Sequence, residues 1–377
     1  MNDFYFNREQ SQAKHDILRR YLVPFANKIL SKWPSVDFID GFSGPWRNVD
    51  TDNLTDTSIG IALSTLSEVA EKKGHTSSDQ QIRCIFNEAD PEAYARLKSF
   101  VDRSKRDFPL LKVNIFEGKF EKNAVKIKQA ADHSFQLLFV DPTGYSGFPP
   151  SSLLHFKGRS SEIIVNFMRS FIERFVSGDH EANISALIGL VGEKRARFLQ
   201  DTGLTINTVE KEYLKMLRSD LGYKFAGYSP IHNPDKNEIH FNLAYGTNHF
   251  AGMEVMRNAE FGALTDHDRR RFQKSLIAKG NDLFGEMLDE MEILGPYLRV
   301  RKKHLQTAER VLLQLISEHP QGLDFSELAA SAQQSLFLKR AELGDVIGEM
   351  AKANLVKATW LDRGGKKPRP GDLMMKF

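Results

Sequence analysis

Apolar and polar positions along the 377-residue chain repeat with two periods, and the switches between them mark out strands and helices. Residues 7 to 31 place Ile17, Leu18, Tyr21, Leu22, Phe25, Ile29 and Leu30 at spacings of three and four, which predicts an amphipathic helix with a kink at Pro24. Val36 to Asp40 alternates as a strand does and stops at an acid, followed by Gly41 and Gly44. Further strands are predicted at residues 81–86, 112–116, from Leu137 to an end on Asp141, and 161–168. Helices fall between them, from Thr57 or Ser58 to Lys73 and from Glu121 to Ala131. A third starts at Asp90-Pro91-Glu92, an N-cap acid, a proline at the first helical position and a further acid at the positive dipole end.

After the fifth strand the period stays helical from Arg169 to Leu221, as an inserted lid would. Residues 224–231 and 238–246 then read as two strands of an antiparallel hairpin around His-Asn-Pro-Asp-Lys-Asn, and helices from Asp266 to Leu294 close the unit. Gly295-Pro296 and the basic run to His304 predict a boundary. Beyond it come helices at 307–318, from Asp324 or Ser326 to Ala332, and at 339–353, then strands at 355–361 and 372–377 around a Gly-Gly-Lys-Lys-Pro-Arg loop. The expected fold class is therefore α/β. It comprises a Rossmann-like, mostly parallel sheet with a C-terminal antiparallel hairpin over residues 1–298 and a winged helix over 299–377.

Length bounds this reading, because single cores usually stop growing near about 250–300 residues. One cysteine, Cys84, can form neither an internal disulfide nor a Cys-rich zinc site, and no run of about 18 apolar residues occurs. A soluble cytoplasmic chain without a membrane partner is expected. The net charge of +3 demands no polyanion. Local cations do cluster, at Arg299, Arg301, Lys302 and Lys303, and in the wing at Arg363, Lys366, Lys367 and Arg369. Lys339 and Arg340 open the presumed recognition helix, but Glu342, Asp345 and Glu349 follow. Nucleic-acid contact through Lys339, Arg340 and the wing cations, and docking of a protein, both remain open.

The chemistry-bearing positions gather at strand ends. Asp40 and Asp141 each end a buried strand, at the sheet edge where open α/β folds bind ligands, and Gly41 and Gly44 leave the backbone free to meet one. The third glycine of a dinucleotide fingerprint is missing and the loop does not run straight into a helix, which disfavours NAD. Glu88, beyond the second strand, could accept both hydroxyls of a ribose. Asn166, inside the apolar fifth strand, must either bond a neighbouring loop or face the cleft. His232, His240 and His249 lack metal-ligand spacing, and no metal is assigned; no Ser-His-Asp or P-loop pattern occurs.

Five β-α units followed by a hairpin resemble the plan of class I S-adenosylmethionine-dependent methyltransferases. Several stretches also resemble the three-Cys-motif partner family. These are Lys14-His15-Asp16-Ile17-Leu18-x-x-Tyr21-Leu22, Phe38-Ile39-Asp40-Gly41-Phe42-Ser43-Gly44-Pro45, Val140-Asp141-Pro142-x-Gly144 and Tyr245-Gly246-Thr247-Asn248-His249. The resemblance implies S-adenosylmethionine as cofactor, with Lys14, Asp40, Gly41, Phe42, Gly44, Glu88 and Phe120 as its binding residues, and a separate three-cysteine protein as a partner. By analogy with amino-group methyltransferases, Asp141, Pro142 and Tyr145 would be catalytic. Trp46 stands where the family carries a glycine, and Lys119 where related enzymes often present an acid. The rival expectation is a scaffold of the same fold that binds a nucleoside or a partner without catalysis; a metal-dependent nuclease would need a carboxylate cluster that is absent.

Overall fold

The structure is a computed structural model. It describes residues 8–44, 50, 54–73, 81–131, 133–142, 148–158, 160–176, 180–278, 295–365, 368–369 and 371–376. Trp46, Thr143, Gly144, Tyr145, Lys366 and Lys367 lie outside them. The chain opens with α1 (Glu9–Leu30), β1 (Ser35–Asp40), α2 (Ser58–Lys72), β2 (Gln81–Glu88), α3 (Pro91–Ser104) and β3 (Leu111–Glu117). Next come α4 (Phe120–Ala130), β4 (Phe135–Val140), the short α5 (Pro150–Leu153) and β5 (Ser161–Phe167). Four helices follow, α6 (Arg169–Val176), α7 (His180–Val191), α8 (Glu193–Thr202) and α9 (Ile206–Ser219), then the hairpin β6 (Phe225–His232) and β7 (Ile239–Thr247), and α10 (Phe250–Ala278).

The seven strands form one sheet in the order β3-β2-β1-β4-β5-β7-β6. Pairing is parallel from β3 through β5, and β7 runs antiparallel to both of its neighbours. This is an α/β fold with a mostly parallel sheet that ends in an antiparallel hairpin. Side chains alternate between the faces as strand geometry requires. Phe38, Phe86 and Phe139 join a core with α1, α2 and α10, whereas Ile39, Ile85 and Leu138 join one with α4 and the helices after β5. The strand order reverses between β1 and β4, and such a reversal opens a crevice beyond the carboxyl ends of the strands. Asp141, two residues beyond Phe139, stands at that crevice, and Asp40, in register with Phe139, lies beneath it.

The C-terminal part contains α11 (Pro296–Ser317), β8 (Leu323–Asp324), α12 (Phe325–Gln333), α13 (Arg340–Lys352), β9 (Val356–Ala358), the turn α14 (Thr359–Asp362) and β10 (Leu373–Lys376). It has its own apolar cluster, and its strands pair in the order β8-β10-β9. Several expected boundaries change. The helix expected from Asp266 begins at Phe250, and the one expected from Thr307 begins at Pro296, so the basic run around residue 300 is helical rather than linking. Tyr297 and Arg301 are buried there, giving that run an inward face that a charge pattern hides. Of the strand expected at 355–361 only three residues pair, and β8 was not expected. Two residues pairing along a helix cap carry no readable periodicity. Glu88 is the last residue of β2 rather than a loop residue.

Candidate functional site

A cleft of about 480 Å3 lies outside the carboxyl ends of β1, β4 and β5. Its walls include Lys14 and His15 of α1, Phe42, Ser43 and Gly44 of the first loop, the start of α2, and Asp141, Asn166 and Phe241. Asp141 is the centre of its polar chemistry. Lys14 donates to Asp141 Oδ2, and Asn166 Nδ2 donates to Oδ1 at 2.7 Å. The Lys14 and Asp141 side chains are only 11% and 17% exposed, so their attraction is little screened by water. Asn166 both bonds a loop acid and faces the cleft, and its Oδ1 is buried without a hydrogen-bond partner. On the same side Arg8 pairs with Asp56 at 2.6 Å, and burial, with the nearby cations Lys14, Arg19 and Arg8, holds His15 well below the usual histidine range. Burial also lowers His240 at the rim.

The first loop is organised from beneath. Asp40 is fully buried and accepts from Phe42 N at 2.9 Å and from Ser58 Oγ at 2.6 Å. Both of its oxygens thus serve the chain itself, joining the loop to the first turn of α2. Burial pushes its carboxyl up to about 7 against these two hydrogen bonds. A Cβ on Gly41 would come within 3.0 Å of the Phe120 ring, so Gly41 answers to the core. Phe120 is itself buried, stacking on Phe156 and tilting against Phe42.

Glu88 is buried at the tip of β2, and its Oε1 accepts from Asp90 N at 2.7 Å; burial raises its carboxyl above the usual range. It is not among the residues lining the cleft. The link between the two is Asn87, whose side chain donates to Gly41 O at 3.2 Å and Gly118 O at 3.0 Å while accepting from Asn123 at 2.8 Å. The main chain closes the same junction, with Ser43 N donating to Asn87 O at 2.8 Å. An asparagine at the end of an apolar strand is the signal for it in the sequence, beside the more conspicuous Glu88.

Of the expected site residues, the structure brings Lys14, Phe42, Gly44, Asp141 and Pro142 together in the cleft; Asp40, Gly41 and Phe120 lie beneath it and Glu88 beyond it. Tyr145 is outside the described residues. Of the cations expected to meet nucleic acid, Lys366 and Lys367 lie outside the described residues. Lys339 Nζ lies 4.2 Å from the centroid of Phe261, and the Arg340 guanidinium 5.0 Å from that of Phe325. Arg363 pairs with Asp372 at 2.8 Å, and Arg369 is exposed. Among the described residues no group of three His, Cys, Asp or Glu could hold a metal ion, and no helix is long and apolar enough to cross a membrane.

No protein-family profile and no curated protein matches the chain. Among solved structures it is similar to a loganic acid methyltransferase with SAH, at 12% identity and a TM-score of 0.29, over 76% of this chain and 92% of that one. A likeness this low adds nothing to the strand order, on which the reading of the fold rests. The three-Cys-motif partner family that the motifs resemble is not confirmed by these comparisons.

Proposed function

We propose that the chain is an S-adenosylmethionine-dependent methyltransferase acting on a nitrogen nucleophile. The observation that carries this reading is the meeting, at the reversal of strand order, of the loop after β1 with an Asp141 steadied by Lys14 and Asn166. The donor set fits the amino-acid end of the cofactor. Arg8 and Lys14 with the carboxylates of Asp56 and Asp141 offer both signs to a zwitterion, and Phe42, Ile59, Met168 and Phe241 offer apolar surface to its thioether arm. Glu88 would receive the ribose hydroxyls, and Asn87 would hold the loop toward them.

When bound, the cofactor supplies an electrophilic methyl group. Asp141 would accept a hydrogen bond from the acceptor nitrogen, direct its lone pair toward that methyl and take the proton released as the N–C bond forms and the sulfonium becomes a thioether, while Lys14 and Asn166 fix the carboxylate in place. Phe42 and Phe241 keep water from the same space. We read residues 296–377 as a winged helix, with α11, α12 and α13 as its helices and β8, β9 and β10 as its sheet. Lys339 and Arg340 lie over rings and Arg363 on an acid, so the acceptor is not assigned to nucleic acid.

Titration calorimetry with S-adenosylmethionine tests the proposal. Binding is expected, and Glu88→Ala should weaken it by about 1.5–3 kcal/mol, the range for a hydrogen bond to a charged group. Absence of heat from the folded protein would sink it. One observation favours a second reading: both Asp141 oxygens are already engaged, as in a fold that binds a nucleoside without transferring a methyl. Binding that persists while amine acceptors gain no labelled methyl group would select that reading.

A further inference from the structure

A groove of about 710 Å3 runs between α11, α13 and α14, far in the chain from the residues of the cleft. Its apolar surface comes from Leu305, Val346 and Leu361 over a buried Trp360; Leu305 and Leu361 are large side chains left 47% and 40% exposed. Its charged lining is mostly acidic. Glu342 is tied to Arg301, and Glu349 shares the exposed Lys352 at 2.7 Å. Asp345 is exposed, with no cation in ion-pair contact among the described residues.

Gly348 adds an observation independent of charge. It lies inside α13, where glycine costs helix stability relative to alanine, and a Cβ there would meet nothing within 4 Å. The fold therefore gives no reason for a glycine at this position. A backbone left bare beside exposed leucines and acids suits close approach by another helix.

We infer that this groove receives a basic amphipathic helix of a partner protein. Its leucine-like face would rest on Leu305, Val346 and Leu361, its backbone would pass close to Gly348, and its lysines or arginines would meet Asp345 and Glu349. Charge decides against the other occupant, because a duplex laid along α13 would bring its phosphates against those acids. The inference is independent of methyl transfer in the cleft.

The test uses the full-length chain and a fluorescent amphipathic peptide of leucine and lysine, with a leucine-glutamate peptide and a DNA duplex as comparisons. Binding of the basic peptide is expected, with at least about tenfold loss in Gly348→Trp, which fills the groove without altering charge. The double variant D345K/E349K should lose the basic peptide and gain the acidic one. Thermal melts establish that each variant is folded, and the charge variant keeps the test open if the tryptophan disturbs α13. Failure of the basic peptide to bind, equal binding by folded Gly348→Trp, or displacement of the peptide by duplex DNA each overturns the inference.

Discussion

Asp40 gives the candidate site a pH signature. Its carboxyl titrates at about 7 in the folded chain because it is buried beneath the first loop, whereas in an unfolded chain an aspartate titrates near about 3.9. Between these values the folded form keeps a proton that the unfolded form has lost, so this group's contribution to stability falls as pH rises from about 4 to about 7. Asp40→Asn cannot titrate, and the drop in melting temperature from about pH 5 to pH 8 should be smaller than in the wild type. An equal drop in both proteins would show that the carboxyl is not the titrating group. Asp141 calls for a different measurement. Lys14→Met leaves its carboxylate without its cation and should cost about 1.5–3 kcal/mol in urea unfolding, and adding Asp141→Asn should recover part of that. If the single losses simply add, the pair is not coupled.

At the scale of elements, the loop after β1 is held by the neighbours of the strand rather than by its glycines. Thr57 caps α2 through a hydrogen bond from Gly60 N at 3.2 Å, and the next residue, Ser58, reaches back to Asp40. Thr57→Ala should lower stability by about 1 kcal/mol, the usual cost of a lost cap, and should weaken cofactor binding as the first turn of α2 loosens. Denaturant melts and calorimetry read the two effects separately; a stability loss with unchanged affinity would uncouple the cap from the cleft. Gly41→Ala tests the packing explanation, since its methyl group meets Phe120. The expected cost is about 1–3 kcal/mol, and less when Phe120 is Leu, because the leucine side chain yields more readily than a ring edge.

Over the whole molecule, Arg257 joins the C-terminal part to the sheet. Its buried guanidinium donates to Gln333 O at 2.6 and 2.9 Å and to Tyr228 O at 2.8 Å, and lies 4.9 Å from the Phe337 ring centroid. Glu260 closes the network by pairing with Arg257 and accepting from Ser229 at 2.5 Å and Tyr297 at 2.9 Å. Arg257→Met would leave Glu260 a buried carboxylate without its cation, at a cost of about 3–5 kcal/mol. Scanning calorimetry should then show the C-terminal part melting apart from the sheet, whereas a single transition at the wild-type temperature would contradict the clamp.

How much was legible in the sequence differs with the range of the interaction. Local signals sufficed for the seven strands of the large sheet and most helices, because the two apolar periods and caps such as Asp90-Pro91 act within a few residues. Those signals also placed Asp40 and Asp141 at one sheet edge, since buried strands of similar length end together. Only the tertiary structure decided what those acids touch. The partner of Asp141 lies 127 residues away in α1, Asn87 works by reaching two other loops, and Gly41 is explained by a ring beyond β3. The cations of the C-terminal part show the same limit. A lysine in the sequence is a charge in water, but whether it faces solvent or lies over Phe261 depends on a helix packed from elsewhere in the chain. Periodicity follows from the backbone, whereas the pairing of polar groups follows from burial, which is settled only when distant segments meet.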